Sequence, residues 1–398
     1  MSLNETASSE RIYIGFFGVR NAGKSSVVNA ITNQNLSIVS EIKGTTTDPV
    51  KKAMELLPIG PVLIIDTPGL DDEGKLGLAR VSKTKEILRQ VDVAILIIDA
   101  STKDSDLNKE MINQFKERNI PYIVVYNKCD LLEFKKTDIK PNEIYVSAKK
   151  GYNITALKDM IGNIAKKAEN KKYIVADLLT KGDIVVLVTP IDESAPKGRL
   201  ILPQQLTLRE ILDYHCSAIV CQDDELKDVL SKLKQSPKMV ITDSQAFEKV
   251  NKVVPKDVSL ISFSILFARY KGNLANLLNG AKEISNLKDG DKVLISEGCT
   301  HHRQCNDIGA VQLPKLINKF TKAHLVYKFT SGMSFPDNLD KYKLIIHCGG
   351  CMINEKEMKY RIAKALEYNV PIVNYGIAIS YMNGIINRCM ELISKDIK

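Results

Sequence analysis

The sequence lacks the features that mark membrane, secreted and disulfide-stabilised proteins. No stretch of the 398 residues approaches the ~20 apolar residues of a membrane span, and the polar segment from Met1 to Arg11 has no hydrophobic signal core. Eight cysteines are too few for a disulfide scaffold in a chain of this length. We therefore expect a cytoplasmic protein without a membrane segment, in which clustered cysteines bind metal or take part in catalysis.

A nucleic-acid-binding surface is also missing from the sequence. The net charge of +9 arises from 56 basic and 47 acidic residues that are mixed along the chain, with no long basic run or arginine-rich arm. Nucleic acid is therefore not the expected partner. The length predicts two or three domains, and the pattern of strands and charged linkers places them at residues 1–168, 174–265 and 266–398.

The N-terminal third contains a phosphate-binding loop. A short apolar run, Ile12 to Phe17, predicts a buried strand, and the next eight residues read G-x-x-x-x-G-K-S. In such a loop backbone N–H groups surround the phosphates, Lys24 reaches the β and γ oxygens, and the Ser25 hydroxyl binds Mg²⁺. The following helix directs its positive end at the phosphates. The predicted nucleotide contacts in this segment are Gly18, Asn21, Gly23, Lys24, Ser25 and Ser26.

Further apolar runs carry the remaining elements of a GTPase in the expected order. The first delivers Asp66-Thr67-Pro68-Gly69, in which Asp66 can hold Mg²⁺ through water and the Gly69 N–H can sense the γ-phosphate. A later strand ends at Asn127-Lys128-Cys129-Asp130, where a carboxylate can accept both guanine N–H groups and so select GTP over ATP. Ser147-Ala148-Lys149 is similar to the loop that contacts the guanine O6. Alternating strands and helices predict a parallel sheet with the ligand loops at its carboxyl edge.

Two details of these loops resemble the TrmE/Era/FeoB-like GTPases, some of which use potassium. The first loop reads G-x-x-N-x-G-K-S, and Gly44 to Asp48 match G-x-T-x-D. The resemblance implies that Asn21 ligates K⁺ and that Thr46 contacts Mg²⁺. Leu70 stands where Ras-like enzymes carry a water-orienting glutamine. We therefore expect slow turnover, on the order of 10⁻⁴ to 10⁻² s⁻¹, in a switch that potassium stimulates.

The middle third shows little chemistry. Short β-rich runs such as Ile184 to Val188 and Met239 to Thr242 alternate with helical patterns, which predicts a second small α/β unit without a phosphate loop. Cys216 and Cys221 fit buried structural thiols better than metal ligands.

The C-terminal third contains two cysteine and histidine segments that follow predicted strands. Lys292 to Ser296 leads to Cys299-Thr300-His301, and Leu344 to Ile346 leads to His347-Cys348-Gly349-Gly350-Cys351. If the sheet is parallel, both segments emerge at the same edge and their cysteines meet. Paired glycines let the backbone turn tightly around a bulky inorganic group and leave N–H groups free for sulfide.

Residue types alone leave the identity of the metal open. Tetrahedral zinc held by the three cysteines and one of His301, His347 or Cys305 fits as well as an iron–sulfur cluster held by three thiolates. A thioredoxin-like redox pair would not need the second segment, and purely structural cysteines are a further alternative.

The order of domains, the potassium-type loop and the C-x-H…H-C-x-x-C pattern together resemble the HydF family, the GTPases among the three [FeFe]-hydrogenase maturases. The resemblance implies that Cys299, Cys348 and Cys351 hold a [4Fe–4S] cluster, with His301 and His347 in the motif, and that the middle domain forms a homodimer. It implies a scaffold that accepts a di-iron subcluster precursor made with two radical-SAM maturases and transfers it to apo-[FeFe]-hydrogenase. GTP would bias how the switch loops contact these partners.

Several points stay open at this stage. Cys305 is an extra thiol, and the fourth cluster ligand could be a histidine, Glu10, Glu297 or an exogenous group. The alternative function is an RNA-associated GTPase, in tRNA modification or ribosome assembly, with a structural zinc site. A GTPase controlled by a Cys348–Cys351 disulfide is a third possibility.

Overall fold

The computed structural model describes residues 8–32, 50–57, 59–67, 83–102, 105–132, 139–168, 172–190, 200–298 and 307–393. The chain forms two compact units, Met1–Lys171 and Lys172–Lys398. Each unit is built around parallel β-sheet, and the α/β fold class expected from the sequence is confirmed.

The first unit contains a six-stranded sheet in the order β2-β3-β1-β4-β5-β6. All neighbours are parallel except the β2–β3 pair, which is antiparallel. The strands are β1 (Ile12–Phe17), β2 (Val50–Leu56), β3 (Gly60–Asp66), β4 (Val93–Asp99), β5 (Tyr122–Asn127) and β6 (Glu143–Tyr145).

Helices cover both faces of this sheet, as the near-continuous apolar strands require. One face packs into a core with Val27 and Leu157, and the other into a separate core with Ile87 and Phe115. The helices are α1 (Lys24–Thr32), α2 (residues 83–88), α3 (Asp106–Glu117) and α4 (Ile154–Ala168).

The second unit contains two four-stranded sheets, each parallel throughout. The orders are β10-β9-β7-β8 and β12-β11-β13-β14. The first sheet consists of β7 (Ile184–Val188), β8 (Ser217–Cys221), β9 (Met239–Thr242) and β10 (Ser259–Ser262). The second consists of β11 (Lys292–Ser296), β12 (Val326–Thr330), β13 (Leu344–His347) and β14 (Ile372–Asn374).

Nine α-helices and one π-helical turn, Ile308–Gln312, are described in this unit. The helices that lie between or directly after the strands of the first sheet in the sequence are α5 (Leu202–Asp213), α6 (Leu226–Lys232), α7 (Phe247–Val253) and α8 (Phe263–Lys271). The others are α9 (Leu274–Lys282), α10 (Leu313–Thr321), α11 (Glu355–Glu367), α12 (Tyr375–Met382) and α13 (Ile386–Ile393).

The two sheets of the second unit share one hydrophobic core, which runs from Ile174 to Ile393. Polar contacts join them as well, because Arg388 on α13 donates to the backbone carbonyls of Val254 and Val258. The predicted division between residues 265 and 266 lies within α8. The three predicted domain ranges remain predictions.

Most predicted strands occur within a residue or two of their expected positions. Strand β2 was not predicted. Helix α8 begins at Phe263 because Ser262 caps it by accepting a hydrogen bond from the Ile265 N–H. Within the described residues, no helix has both the length and the apolar character needed to cross a membrane.

Candidate functional site

The phosphate-binding loop follows β1 and adopts a backbone that needs glycine at two positions. Gly18 has φ +146°, and a Cβ there would lie 2.3 Å from the Ile97 carbonyl oxygen. Gly23 has φ +87°, and a Cβ there would lie 2.3 Å from the Asn127 side-chain nitrogen. The two glycines of the G-x-x-x-x-G-K-S pattern therefore permit a backbone conformation that would be strained with any residue that carries a Cβ.

The Lys24 ammonium lies inside this loop. Its Nζ donates to the carbonyl oxygens of Gly18 at 3.0 Å and Val19 at 2.9 Å. Lys24 also begins α1, so Ser25 and Ser26 occupy the first turn, where backbone N–H groups have no helical acceptor. The loop therefore combines a lysine and a helix N-terminus around one position, which suits the phosphates of a nucleotide.

A carboxylate suited to Mg²⁺ lies next to the Ser25 hydroxyl. Ser25 Oγ donates to Asp66 Oδ2 at 3.4 Å, and Asp66 is 9% exposed. Among the described residues, Asp66 Oδ1 has no hydrogen-bond partner although it is buried. Burial raises the pKa of Asp66, while the Lys24 ammonium and the Ser25 hydrogen bond oppose that rise. An acceptor oxygen that faces the serine hydroxyl fits a site for hydrated Mg²⁺.

The predicted guanine loops are joined by Asn127 at the end of β5. Its amide nitrogen donates to the Ala22 carbonyl at 3.1 Å, and its amide oxygen accepts from the Ala148 N–H at 3.2 Å. Asn127 is 2% exposed. This side chain therefore holds the phosphate loop and the Ser147-Ala148 loop in a fixed relation.

Asp130 and Lys128 follow Asn127 at the carboxyl end of β5. A hydrogen bond from Ser147 lowers the pKa of Asp130, which keeps the carboxylate ionised. Lys128 adopts φ 61° and its Nζ donates to Asp99 Oδ2 at 2.6 Å. An ionised carboxylate beside two ordered loops can accept the paired N–H groups of guanine.

Of the remaining predicted residues of this nucleotide site, one is described by the structure and two are not. Asn21, the predicted potassium ligand, is exposed and has φ 62°. Thr46 and Gly69, the predicted switch residues, lie outside the described residues.

The cysteine segments follow two paired strands at one edge of the second sheet. Ser296, the last residue of β11, pairs with His347, the last residue of β13. The Cys348 N–H then donates to the Ser296 carbonyl at 2.9 Å. The sequence-based expectation that a parallel sheet places both segments at the same edge is confirmed for these strand ends.

The Cys348 sulfur accepts two backbone hydrogen bonds. The Gly298 N–H lies 2.9 Å from Sγ, and the Gly350 N–H lies 3.4 Å from it. Burial raises the pKa of Cys348 to about 11, although these two hydrogen bonds oppose the rise. Gly298 directly precedes Cys299 in the sequence.

The His347 ring lies in a buried polar network. Arg361 Nη1 lies 2.9 Å from Nε2, and the Cys348 carbonyl oxygen lies 2.7 Å from Nδ1. Because a guanidinium can only donate, Nε2 accepts and the ring proton resides on Nδ1. Burial, followed by the Arg361 charge, lowers the pKa of His347 to about 3. In this arrangement a neutral His347 orders the cysteine loop, and neither ring nitrogen is free for a metal ion.

Arg361 holds this network together from the interior of α11. Its Nε pairs with Glu357 Oε1 at 2.8 Å, and both side chains are fully buried. Its Nη1 also donates to Ser296 Oγ at 3.4 Å, and its Nη2 donates to the Gly332 carbonyl at 2.7 Å. One side chain thus connects the ends of β11 and β13 and the loop after β12.

Glu297, one of the carboxylates considered as a fourth ligand, is 4% exposed at the end of β11. Its Oε1 accepts from the Tyr375 hydroxyl at 3.4 Å. Burial raises the pKa of Tyr375, and the neighbouring Cys348, Glu297 and Asp307 raise it further. The other carboxylate considered, Glu10, lies in the first unit.

A metal ion at the cysteine segments would need several side chains with sulfur, nitrogen or oxygen donors close together. The described residues contain no three His, Cys, Asp or Glu side chains placed to hold a metal ion. Cys299, His301 and Cys305 lie outside them. What is described is the half-buried Cys348 thiol with two N–H donors, and glycines in the adjoining turn, of which Gly350 has φ 64°. Hydrogen bonds to sulfur of this kind are typical of iron–sulfur sites.

Sequence reasoning missed Arg361 and Glu357. They carry a signal, since a Glu–Arg pair at i,i+4 falls on the same side of α11 as the buried Met358 and Ile362.

Comparison with protein families separates the chain into three matches. Residues 13–128 match a family described as 50S ribosome-binding GTPase. Residues 174–272 match the hydrogen maturase F dimerization domain, and residues 275–392 match the hydrogen maturase F tetramerization domain. The two hydrogen maturase F matches together cover more than half of the chain.

The chain belongs to the HydF family. Its GTPase domain precedes two domains whose family descriptions indicate an oligomer. The P-loop, the buried Asp66 and Asn127 all lie within residues 13–128, the part of this HydF chain that matches the GTPase family.

Relatives of the HydF chain outside the family match chiefly its GTPase part. The tRNA modification GTPase MnmE of Endomicrobium trichonymphae is 36% identical over 169 residues, which are 40% of this chain and 37% of that protein. GTPase Era of Clostridium botulinum is 27% identical over 263 residues, which are 59% of this chain and 87% of that protein. The chain spans little more than a third of the length of the first curated relatives it matches.

A solved structure is also similar to part of this chain, at lower identity. Aquifex aeolicus Era bound to GDP.AlF4- matches with a TM-score of 0.34 and 20% identity, over 61% of this chain and 97% of that one.

Proposed function

We propose that this HydF chain is a slow GTPase and an iron–sulfur scaffold that accepts a di-iron precursor and transfers it to apo-[FeFe]-hydrogenase. The observation that carries the proposal is the pairing of Ser296 with His347, which sets Gly298 against the Cys348 sulfur. Cys299, Cys348 and Cys351 would hold a [4Fe–4S] cluster, which leaves one iron open for the precursor. The two radical-SAM maturases would supply that precursor in the cytoplasm.

The scaffold role is supported by the chemistry of the loop. Three thiolates leave one coordination position of a four-iron cluster unfilled by cysteine. Because His347 is engaged by Arg361 and the Cys348 carbonyl, we propose that it positions the loop and does not bind iron. His301, Glu297 or an exogenous group would then complete the site.

GTP would act on partner contacts and not on the cluster bonds. The phosphate loop and the cysteine loop belong to different compact units. Binding and hydrolysis at Lys24, Ser25, Thr46, Asp66 and Gly69 would therefore change the switch segments, which bias docking and release of the partner enzymes.

Potassium would supply the positive charge that an arginine finger supplies elsewhere. We propose that Asn21, which is exposed on the phosphate loop, ligates it. GTP hydrolysis should be about tenfold or more faster in KCl than in NaCl at equal ionic strength, and Asn21→Ala should remove most of that difference. Equal rates in the two salts would contradict the assignment.

The experiment that tests the scaffold compares the reconstituted wild-type chain with a variant in which Cys299, Cys348 and Cys351 are all serine. The wild-type chain should bind iron and, once loaded with precursor, activate apo-[FeFe]-hydrogenase. The triple variant should do neither. A wild-type chain that binds only zinc would overturn the proposal.

A further inference from the structure

A carboxylate at the end of β4 is bonded to the lysine that follows β5. Asp99, the last residue of β4, lies opposite Asn127, the last residue of β5. Asp99 Oδ2 accepts a hydrogen bond from Lys128 Nζ at 2.6 Å. The Ala100 N–H donates to the Asn127 carbonyl at 2.8 Å. The end of β4 is therefore bonded both to the last residue of β5 and to the first residue of the loop after it.

The Asp99 carboxylate is itself fixed by the turn that follows β4. Its Oδ1 accepts from the Ser101 N–H at 2.9 Å and from the Ser101 hydroxyl at 2.6 Å. Burial alone would raise the pKa of Asp99, but the hydrogen bonds from Lys128 and Ser101 outweigh it and lower that pKa. Lys128 is thus held by an ionised carboxylate whose side chain is only 13% exposed.

Lys128 lies where the chain turns from β5 into the guanine loop. It has φ 61°, in the left-handed region, which is uncommon for a residue that carries a Cβ. It directly precedes the short 3-10 turn Cys129–Leu131, which contains Asp130, the carboxylate predicted to accept the guanine N–H groups. The Leu131 N–H donates back to the Lys128 carbonyl at 3.0 Å. A bond that holds Lys128 in this conformation therefore also sets the direction of Asp130.

We propose that Asp99 is a positioning residue of the nucleotide site that sets guanine specificity through Lys128. The inference rests on the predicted contact between Asp130 and guanine. The Asp130 carboxylate would accept two N–H groups from guanine but only one from hypoxanthine, which lacks the exocyclic amino group. Accurate placement of Asp130 should therefore favour GDP over inosine diphosphate, and loss of the Asp99 charge should reduce that preference.

Three variants separate this role from a general effect on the fold. Asp99→Asn removes the charge and keeps the size of the side chain, so its amide oxygen can still accept from Ser101. Lys128→Met removes the same ion pair from the other side and keeps the apolar stem. Because it should show the same loss of preference, the test stands if one variant does not fold. Asp106→Asn, which breaks an exposed ion pair with Lys109 on α3, is the matched control.

The experiment is isothermal titration calorimetry of the full-length chain with Mg²⁺ and either GDP or inosine diphosphate, beside the unfolding midpoint of each variant. The wild-type chain should bind GDP at least about tenfold more tightly than inosine diphosphate. Asp99→Asn should weaken GDP binding about tenfold and inosine diphosphate binding by about threefold or less. Asp106→Asn should bind both as the wild-type chain does. The double variant of Asp99→Asn with Lys128→Met should bind GDP about as tightly as Lys128→Met alone, since the two residues act through one contact.

Three outcomes would overturn the inference. One is an Asp99→Asn protein with the wild-type affinity for GDP, and another is an equal loss of affinity for both diphosphates. The third is an effect of Asp99→Asn that adds in full to that of Lys128→Met. Failure of the underlying guanine contact gives a different result, because the wild-type chain itself would then bind the two diphosphates equally. The iron content of the protein does not enter the test, so its outcome is independent of the proposed cluster.

Discussion

Lys24→Ala should reduce GTP hydrolysis by about 10²- to 10³-fold while the protein binds as much iron as the wild-type chain. The Lys24 ammonium is the charge held within the phosphate loop, by the Gly18 and Val19 carbonyls, and it would neutralise the β and γ oxygens in the transition state. The cysteine loop lies in the other compact unit. Phosphate release and iron content, measured on the same preparation, check both halves of the expectation.

The matched control is Lys116→Ala, an exposed lysine near the end of α3 in the same unit. It should leave both hydrolysis and iron content unchanged. If Lys24→Ala lost its iron while Lys116→Ala kept it, the separation of the nucleotide site from the metal site would be wrong.

Arg361→Met should destabilise the second unit by about 3–5 kcal/mol. The change leaves the fully buried Glu357 carboxylate without its ion-pair partner. It also removes the donors to His347, Ser296 and the Gly332 carbonyl, which together order the ends of two strands. Urea unfolding of the full chain, followed by a probe in the second unit, measures the free energy of unfolding.

Two variants show whether the buried charge is the cause. Lys359→Met breaks an exposed pair with Glu355 on the same helix and should cost no more than about 1 kcal/mol. The double variant Glu357→Leu with Arg361→Met should recover part of the lost stability, since no unpaired charge remains. An Arg361→Met protein as stable as Lys359→Met would contradict the account.

Much of the fold follows from hydrophobic pattern. Parallel strands buried on both faces, such as Ile12–Phe17 and Ile184–Val188, are continuous apolar runs and were predicted closely. Strand β2 escaped prediction because it is an edge strand with one paired neighbour, and because the adjacent Lys51 and Lys52 and the later Glu55 interrupt its apolar residues. The antiparallel β2–β3 pair therefore has the weakest sequence signal in the sheet.

Residue types and the ends of the strands predict which residues could form the site. Motif spacing predicts Lys24, Asp66 and Cys348 as site residues, and a parallel sheet predicts that the cysteine segments meet; these assignments stay predictions. The orientation of a side chain does not follow from such patterns. His347 was predicted as a possible ligand, but its ring is held by Arg361 and the Cys348 carbonyl. This contact depends on the packing of α11 beside β13, which the sequence pattern does not specify.

The measurement that tests the central claim most directly is iron analysis with EPR of the anaerobically reconstituted, dithionite-reduced chain, beside the Cys299, Cys348 and Cys351 triple serine variant. The account predicts about four irons per chain and a reduced [4Fe–4S] signal, both lost in the variant. Stoichiometric zinc without an iron signal in the wild-type chain would contradict it and would favour a structural metal site in an RNA-associated GTPase.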